Sequence, residues 1–479
     1  MKQKKRVEIN RFDIKNNSNE ICCDKFYNYC PTGILNDSLG IKNAEFPQNY
    51  EFSKFYELVY PDGMTKVEGI SLFRQHFKNV ANDVYRLIIY GDDKKIYINQ
   101  LLKSSNMSWL YQMTFENNPI TLAFKKDNED AVILTDGEQM KIWVTNYTPY
   151  SVEGVPIITD MCMNEGVLYC CLKEPAFKIW YATDLNPEKV GEIDSYSGYI
   201  SFEDNLGNAN RVITVDENVY VIRDYGISKI TSMKGEFVVS QIYAANTQIY
   251  SETACVCGNV LLFMTKEGLY SYNGVKVSKT NLDFYKNLVN TKNMVAASLG
   301  SKYYLACNLN FEDEEKIFCE NEEYKNNALI IFDISDNIYQ IIRGADIKSL
   351  VPIKTDAFEK MIVLFNTDKE DKVGEIFNKS KYFDENFPKL WLSEQIFSSF
   401  EKKLFTKLTV SSTVGVKVKL IYDDKDITFT TYKDGANEFL FKIYGKQLKI
   451  EISSEYEHAK VEKVYLDYYD NWQCRFKKN

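Results

Sequence analysis

Short apolar runs of about four to six residues recur along most of the chain, each ended by Asp, Asn, Gly, Lys or Glu. Helical periodicity is scarce. The pattern predicts strands joined by tight turns. Val84 to Tyr90 turns at Gly91-Asp92-Asp93 and returns as Lys95 to Ile98. Ala131 to Leu134 turns at Thr135-Asp136-Gly137 and returns as Met140 to Val144. Val167 to Leu172 leads to Phe177 to Tyr181, Val219 to Ile222 to Ile227 to Ile230, and Val260 to Met264 to Leu269 to Tyr272. Tyr303 to Cys307 pairs with Ala328 to Phe332 across an acidic insertion, and Met361 to Phe365 leads to Val373 to Phe377.

Leu87, Val132, Leu168, Tyr220, Leu261, Tyr304 and Ile362 mark a repeat with a mean step of about 46 residues, the span of a four-stranded propeller blade. One small twisted sheet cannot bury both of its faces, and radial packing of blades covers them while leaving short edges. The abundant Tyr and Phe, 34 and 29 residues, suit the wedges between blades. The predicted fold is all-β: a β-propeller of roughly six or seven blades with an extended N-terminal arm and a C-terminal β-sandwich. Stacked sandwiches without radial symmetry are the competing all-β arrangement.

The predicted divisions are an arm over 1–46, a propeller over 47–380, and a linker with a sandwich over 381–479. The arm holds few strong strands and a turn at Cys30-Pro31-Thr32-Gly33. The acid-rich stretch from Phe311 to Glu323 reads as a solvated insertion, and Asp283 to Asn293 as room for one short helix. After the linker the alternation is strict, which places one face of each strand in a core and the other in water. The strands read there are Leu404 to Val410, Val414 to Tyr422, Ile427 to Thr430, Phe439 to Ile443, Leu448 to Ile452 and Val461 to Tyr468.

Composition narrows the function. Of 479 residues, 45% are hydrophobic and 26% charged, which excludes a disordered tail. The net charge of -9 is opposite to that of a broad duplex-binding surface. Two histidines, His76 and His458, nearly remove histidine metal centres and triads. The 11 scattered cysteines read as reduced, mostly buried thiols of a cytosol-assembled protein. No apolar run approaches the roughly 18 residues that cross a bilayer, so no membrane partner is expected. The basic start lacks the apolar segment of a signal peptide.

Catalytic patterns are absent from the sequence. There is no Walker loop, dinucleotide fingerprint, HExxH, GxSxG or CxxC. No cofactor, metal or catalytic residue is expected. Asp423-Asp424-Lys425-Asp426 resembles a calcium loop only superficially and reads as a hairpin turn. Asp136, Glu138, Asp224 and Glu267 are the acids a propeller glycosidase would draw on, but each sits where a hairpin needs Asp, Asn or Gly for its backbone. Trp143, Trp180 and Trp391 can stack on sugars but read as core. Lys2, Lys4, Lys5 and Arg6, with Arg11 and Phe12, form the candidate docking arm for an acidic partner or passing DNA phosphate; a frayed terminus is the plainer reading.

Three stretches carry a resemblance. Glu8 to Asp13 and Pro31 to Leu35 resemble the opening arm of tailed-phage virion proteins of the propeller-bearing head-to-tail hub, or stabilisation, class and related neck and tail components. Val132 to Gly137, Val221 to Ile227 and Glu267 to Gly274 are similar to their blade repeats, and Phe397 to Tyr469 to their terminal sandwich. The resemblance implies a non-enzymatic virion subunit, one of a homo-oligomeric ring that stabilises the portal–tail junction. Its implied partners are portal, adaptor or tail proteins, and its implied location is the virion neck or tail after assembly in host cytoplasm. A tail-tip or receptor-binding propeller is the nearest alternative. A propeller glycosidase and a cytosolic peptide-binding scaffold are the others.

Overall fold

The computed structural model describes residues 4–9, 14–15, 53–54, most of 63–376, 389–392 and most of 397–469. The turn expected at 30–33, the acidic stretch at 311–323 and the linker at 381–388 lie outside the described residues.

Three short strands come first: β1 (Lys4–Ile9), β2 (Ile14–Lys15) and β3 (Ser53–Lys54). Blade one holds β4 (Val67–Gln75), β5 (Val84–Gly91), β6 (Lys95–Asn99) and β7 (Trp109–Thr114). Blade two holds β8 (Ile120–Lys126), β9 (Glu129–Thr135), β10 (Met140–Val144) and β11 (Tyr150–Val152). Blade three holds β12 (Ile158–Asn164), β13 (Val167–Leu172), β14 (Lys178–Ala182) and β15 (Ser197–Ser201). Blade four holds β16 (Ala209–Val215), β17 (Asn218–Arg223), β18 (Gly226–Met233) and β19 (Glu236–Ala244). Blade five holds β20 (Ile249–Cys257), β21 (Val260–Thr265), β22 (Gly268–Tyr272) and β23 (Val277–Lys279). Blade six holds β24 (Leu288–Leu299), β25 (Lys302–Leu309), β26 (Ala328–Asp333) and β27 (Ile338–Arg343). Blade seven holds β28 (Asp346–Lys354), β29 (Glu359–Asn366) and β30 (Asp371–Glu375).

Within each blade the strands pair antiparallel in chain order. First strands of successive blades adjoin, and β28 meets β4, so the seven blades seen among the described residues close into a ring. Blade seven takes its fourth strand from far upstream: β3 pairs with β30, Ser53 opposite Glu375 and Lys54 opposite Gly374. Blade six gains β2 as a fifth strand on β27. The short helix expected near Asp283 is one 3-10 turn, Phe284–Asn287. Among the described residues no helix is long and apolar enough to cross a membrane.

The ring explains the consecutive apolar runs. Every register residue from Leu87 to Ile362 falls on the second strand of its blade. That strand is sandwiched between two neighbouring blades, so both of its faces are buried. Ala131 and Ile133 pack toward blade three, while Val132 and Leu134 pack toward blade one. Leu261 and Phe263 face blade four, while Leu262 and Met264 face blade six. The same alternation closes the ring, where Ile362 and Leu364 of blade seven meet Leu87 and Ile89 of blade one. Each fully buried Val, Leu, Ile or Phe contributes about 1.5–3 kcal/mol, which gives every blade interface a strong local core.

The C-terminal unit contains β31 (Lys389–Leu392), β32 (Phe397–Ser412), β33 (Lys417–Tyr422), β34 (Lys425–Thr430), β35 (Gly435–Ser454) and β36 (Val461–Tyr469). Here one expectation is corrected. Phe439 to Ile443 and Leu448 to Ile452 are parts of a single 20-residue strand, β35. Up to Leu448 it pairs with β32, and beyond that it pairs with β33 and β31. The alternation lapses at Tyr444 to Gln447, yet the Asp423 carboxylate accepts the Lys446 and Gln447 amides and keeps the backbone extended. The long strand thereby links the two sheets of the sandwich around Leu408, Val418, Ile450 and Leu466. The turn before β34 has Asp423 and Asp424 at φ 41° and 63°, the left-handed pair of a tight hairpin. β1 adds to the outer edge of β36, from Lys4 opposite Tyr469 to Ile9 opposite Val464.

Candidate functional site

The hairpin acids are the groups on which hydrolytic chemistry would draw. Asp136 sits in the β9–β10 turn. Its carboxylate accepts the amides of Glu138 and Gln139 in its own turn and of Glu116 and Asn117 before β8. Burial works to raise its pKa, but these backbone donors outweigh it and hold the carboxyl below its ordinary value. The arrangement recurs. Asp92, in the β5–β6 turn, accepts the Thr65 and Lys66 amides before β4. Asp224, in the β17–β18 turn, accepts the Asn208 amide at 2.8 Å and the Asn210 side-chain amide at 2.8 Å. In each case a second-to-third-strand hairpin is tied to the chain entering the same blade. Glu267 accepts the Tyr270 hydroxyl at 3.0 Å, and Glu138 is exposed. The four acids thus lie on hairpins of three different blades, and the two aspartates bind backbone.

The second cluster lies where the first strands begin. Six of the seven have a register irregularity there, at Val67/Gly69, Ile158/Asp160, Ala209/Arg211, Tyr250/Cys255, Asn290/Val295 and Ile347/Ser349. Bulges re-aim side chains, and two of these strands carry polar side chains that reach the next blade. Asp160 accepts the Val212 amide at 2.8 Å. Arg211 donates to the Ser251 and Glu252 carbonyls at 3.4 and 3.0 Å. Blades three, four and five are therefore linked by one polar chain. Asp160 is half-buried. Burial, only partly offset by Arg211, pushes its carboxyl up to about 6.

On the same face, Arg223 is buried. It donates to the Gly207 carbonyl at 2.7 and 3.2 Å, pairs with Asp204 at 2.5 Å and lies over the Phe202 ring. The 203–208 connection is thereby tied to the end of β17. Exposed Phe177 and Tyr225 lie beside it, and Lys178 sits between the rings of Phe177 and exposed Tyr199. Trp143 and Trp180 are buried, as expected for core; the Trp391 side chain lies outside the described ones.

The third cluster is the arm. Lys4 and Arg6 reach the same carboxylate, Asp467 of β36, at 2.6 and 2.7 Å. Arg6 also lies over the Tyr465 ring. Asp467 is covered by these two side chains at the sheet surface rather than sunk in the core. Lys5 stands opposite Tyr468, whereas Lys2, Arg11 and Phe12 lie outside the described residues. Two described cations of the predicted docking arm, Lys4 and Arg6, thus bind an acid of their own chain.

Cys162, Cys170, Cys171, Cys255, Cys257 and Cys307 are buried free thiols, and burial raises each thiol pKa. Among the described residues no His, Cys, Asp and Glu group is arranged to hold a metal ion.

No family model matches the sequence, and no curated protein matches it. Among solved structures, BBS1N in complex with ARL6DN, soaked with lead, is similar at 10% identity and a TM-score of 0.44, over 68% of this chain and 98% of that one. The Neurospora crassa Pan2 WD40 domain is similar at 8% identity and a TM-score of 0.39, over 68% and 94%. The blade architecture itself rests on the strand pairing described above.

Reading the sequence missed Asp160, Arg211, Arg223 and Asp467. For Asp160, Arg211 and Arg223 the signal was a lone charge in an otherwise largely apolar strand, as in Val219-Tyr220-Val221-Ile222-Arg223, whereas Asp467 shares β36 with Glu462 and Lys463. Such a charge must find a partner when its strand is buried.

Proposed function

We propose that this protein is a non-enzymatic structural subunit of a tailed-bacteriophage virion, a ring component at the head-to-tail connector that stabilises the portal–tail junction. The supporting observation is the order and joining of the parts. An N-terminal segment is laid as added strands on the C-terminal sheet, on blade six and on blade seven, with a closed propeller between. A closed ring of sheets with buried faces resists shear, and strand addition gives a strap many backbone bonds with little bulk. The candidate hydrolytic aspartates bind backbone instead of facing one another across a groove. Substituting Asp136 or Asp224 therefore costs stability, whatever its effect on a substrate. Portal, adaptor or tail proteins of the same virion are the partners, and a net charge of -9 suits a lining past which DNA slides without adhering.

Mass spectrometry of purified particles tests the reading. The protein should be present at a fixed ratio to the portal, and recombinant chain should bind portal or adaptor rings. Absence from particles removes it. A tail-tip receptor binder is the second reading, favoured by exposed Phe177, Tyr199 and Tyr225. Binding on a glycan array, lost in Phe177→Ala, would replace the first reading with this one.

A further inference from the structure

We infer that β19 of blade four pairs edge to edge with β19 of a second copy, joining two blades into one sheet across a two-fold axis. The inference does not depend on the virion reading above.

Among the described residues no strand pairs with the outer side of β19. Blades six and seven show the contrast, because β2 and β3 cover their outer edges. Strand addition to a blade edge is thus a contact this chain already makes. β19 has nine residues, whereas the other strands that end a blade, β7, β11, β15 and β23, have six, three, five and three. Natural edges are shielded by charge, proline, shortness or a bulge, and the bulge of β19 lies at Ile242, beyond its middle. From Phe237 to Gln241 this edge has none of these.

The strand is also held ready. Phe237 packs on Tyr169 and Tyr181 of blade three, and Tyr243 on Phe263 and Tyr270 of blade five. Between these anchors Val238 and Val239 are 48% and 40% exposed. Adjacent residues of a strand point to opposite faces, so the middle of β19 stands clear on both sides.

The occupant follows from self-complementarity. Antiparallel pairing centred on Val239 sets Val239 against its own mate, Val238 against Ser240, Phe237 against Gln241 and Glu236 against Ile242. No like charges meet. The centre avoids the irregularity in the β18–β19 register at Ile227/Ser228, which falls near Ile242.

Sedimentation of the full chain over a range of concentrations tests the inference. The expected result is a reversible monomer–dimer equilibrium. Val239→Lys and Val239→Glu each place like charges face to face and should weaken the dimer by about tenfold or more, with the thermal midpoint unchanged at dilutions where the wild-type chain is monomeric. Mixing the two variants should restore a dimer containing one of each. Val239→Cys should give an oxidised dimer above the wild-type background, while Ser151→Cys on β11 should not. A wild-type chain that stays monomeric, a dimer indifferent to both charges, or a mixture that fails to pair overturns the inference.

Discussion

Replacing Asp467 by Asn isolates the charge that holds the arm. The carboxylate is 2% exposed and takes Arg6 Nε at 2.7 Å, Arg6 Nη2 at 3.2 Å and Lys4 Nζ at 2.6 Å. These bonds, Arg6 foremost, hold its pKa at about 2, below the ordinary 3.8. A depression of that size is equivalent to at most about 2.5 kcal/mol. Lys4 and Arg6 are 48% and 52% exposed, and water and salt screen them, which lowers the expected contribution to about 1 kcal/mol. The Asn variant keeps the shape and loses the charge, so β1 should open about fivefold more often. Hydrogen–deuterium exchange of the peptide covering β1 reads this directly, with the propeller strands as internal reference. A folded pKa below the unfolded one means the stabilisation is present above the ordinary value and is lost as pH falls through about 2. Wild type and variant should therefore differ above about pH 4 and converge toward pH 2. Arg6→Ala should have a similar effect, and the double variant should open less than the sum of the two single changes implies. Unchanged exchange in Asp467→Asn, or strict additivity with Arg6→Ala, would refute the clamp.

Other outcomes follow from the same geometry. Asp136→Ala orphans backbone amides at both ends of a blade connection and should cost about 1–3 kcal/mol in denaturant unfolding; a loss below 0.5 kcal/mol, about the effect of an ordinary surface change, argues against the cap. Asp160 has a folded pKa of about 6, above its ordinary 3.8, so its charged form destabilises the fold once pH rises through 6. Asp160→Asn, which still accepts the Val212 amide, should raise stability by about 1–3 kcal/mol at pH 8 and by little at pH 4; a gain independent of pH contradicts this. The six buried thiols should resist alkylation in the native protein and label on unfolding, as peptide mass spectrometry can show.

The local chemistry of this protein is easy to read. The hairpins at Asp92, Asp136 and Asp224 were visible because a tight turn restricts residue type within a few positions. The seven register residues were visible because a strand buried on both faces is apolar at successive positions. The continuity of β35 was not visible. A lapse in alternation looks like a turn unless the distant Asp423 carboxylate is known to hold the Lys446 and Gln447 amides. The basic start, with Glu8 beside it in sequence, gave no hint that its partner would be Asp467, 461 positions away from Arg6.

Sequence alone determined the second and third strands of each blade, the turn between them and their repeat, because backbone pairing within a hairpin depends on residues close together along the chain. Tertiary structure decided which distant segments complete the sheets: Ser53 beside Glu375 in blade seven, Ile14 beside Tyr339 in blade six, and Arg6 on Asp467. It also decided that Asp160 takes the Val212 amide and Arg211 the Ser251 and Glu252 carbonyls, since a bulge sets the direction of a side chain and ring closure sets what lies opposite. Contacts of that kind depend on how complete blades pack, and no local pattern of residues encodes them.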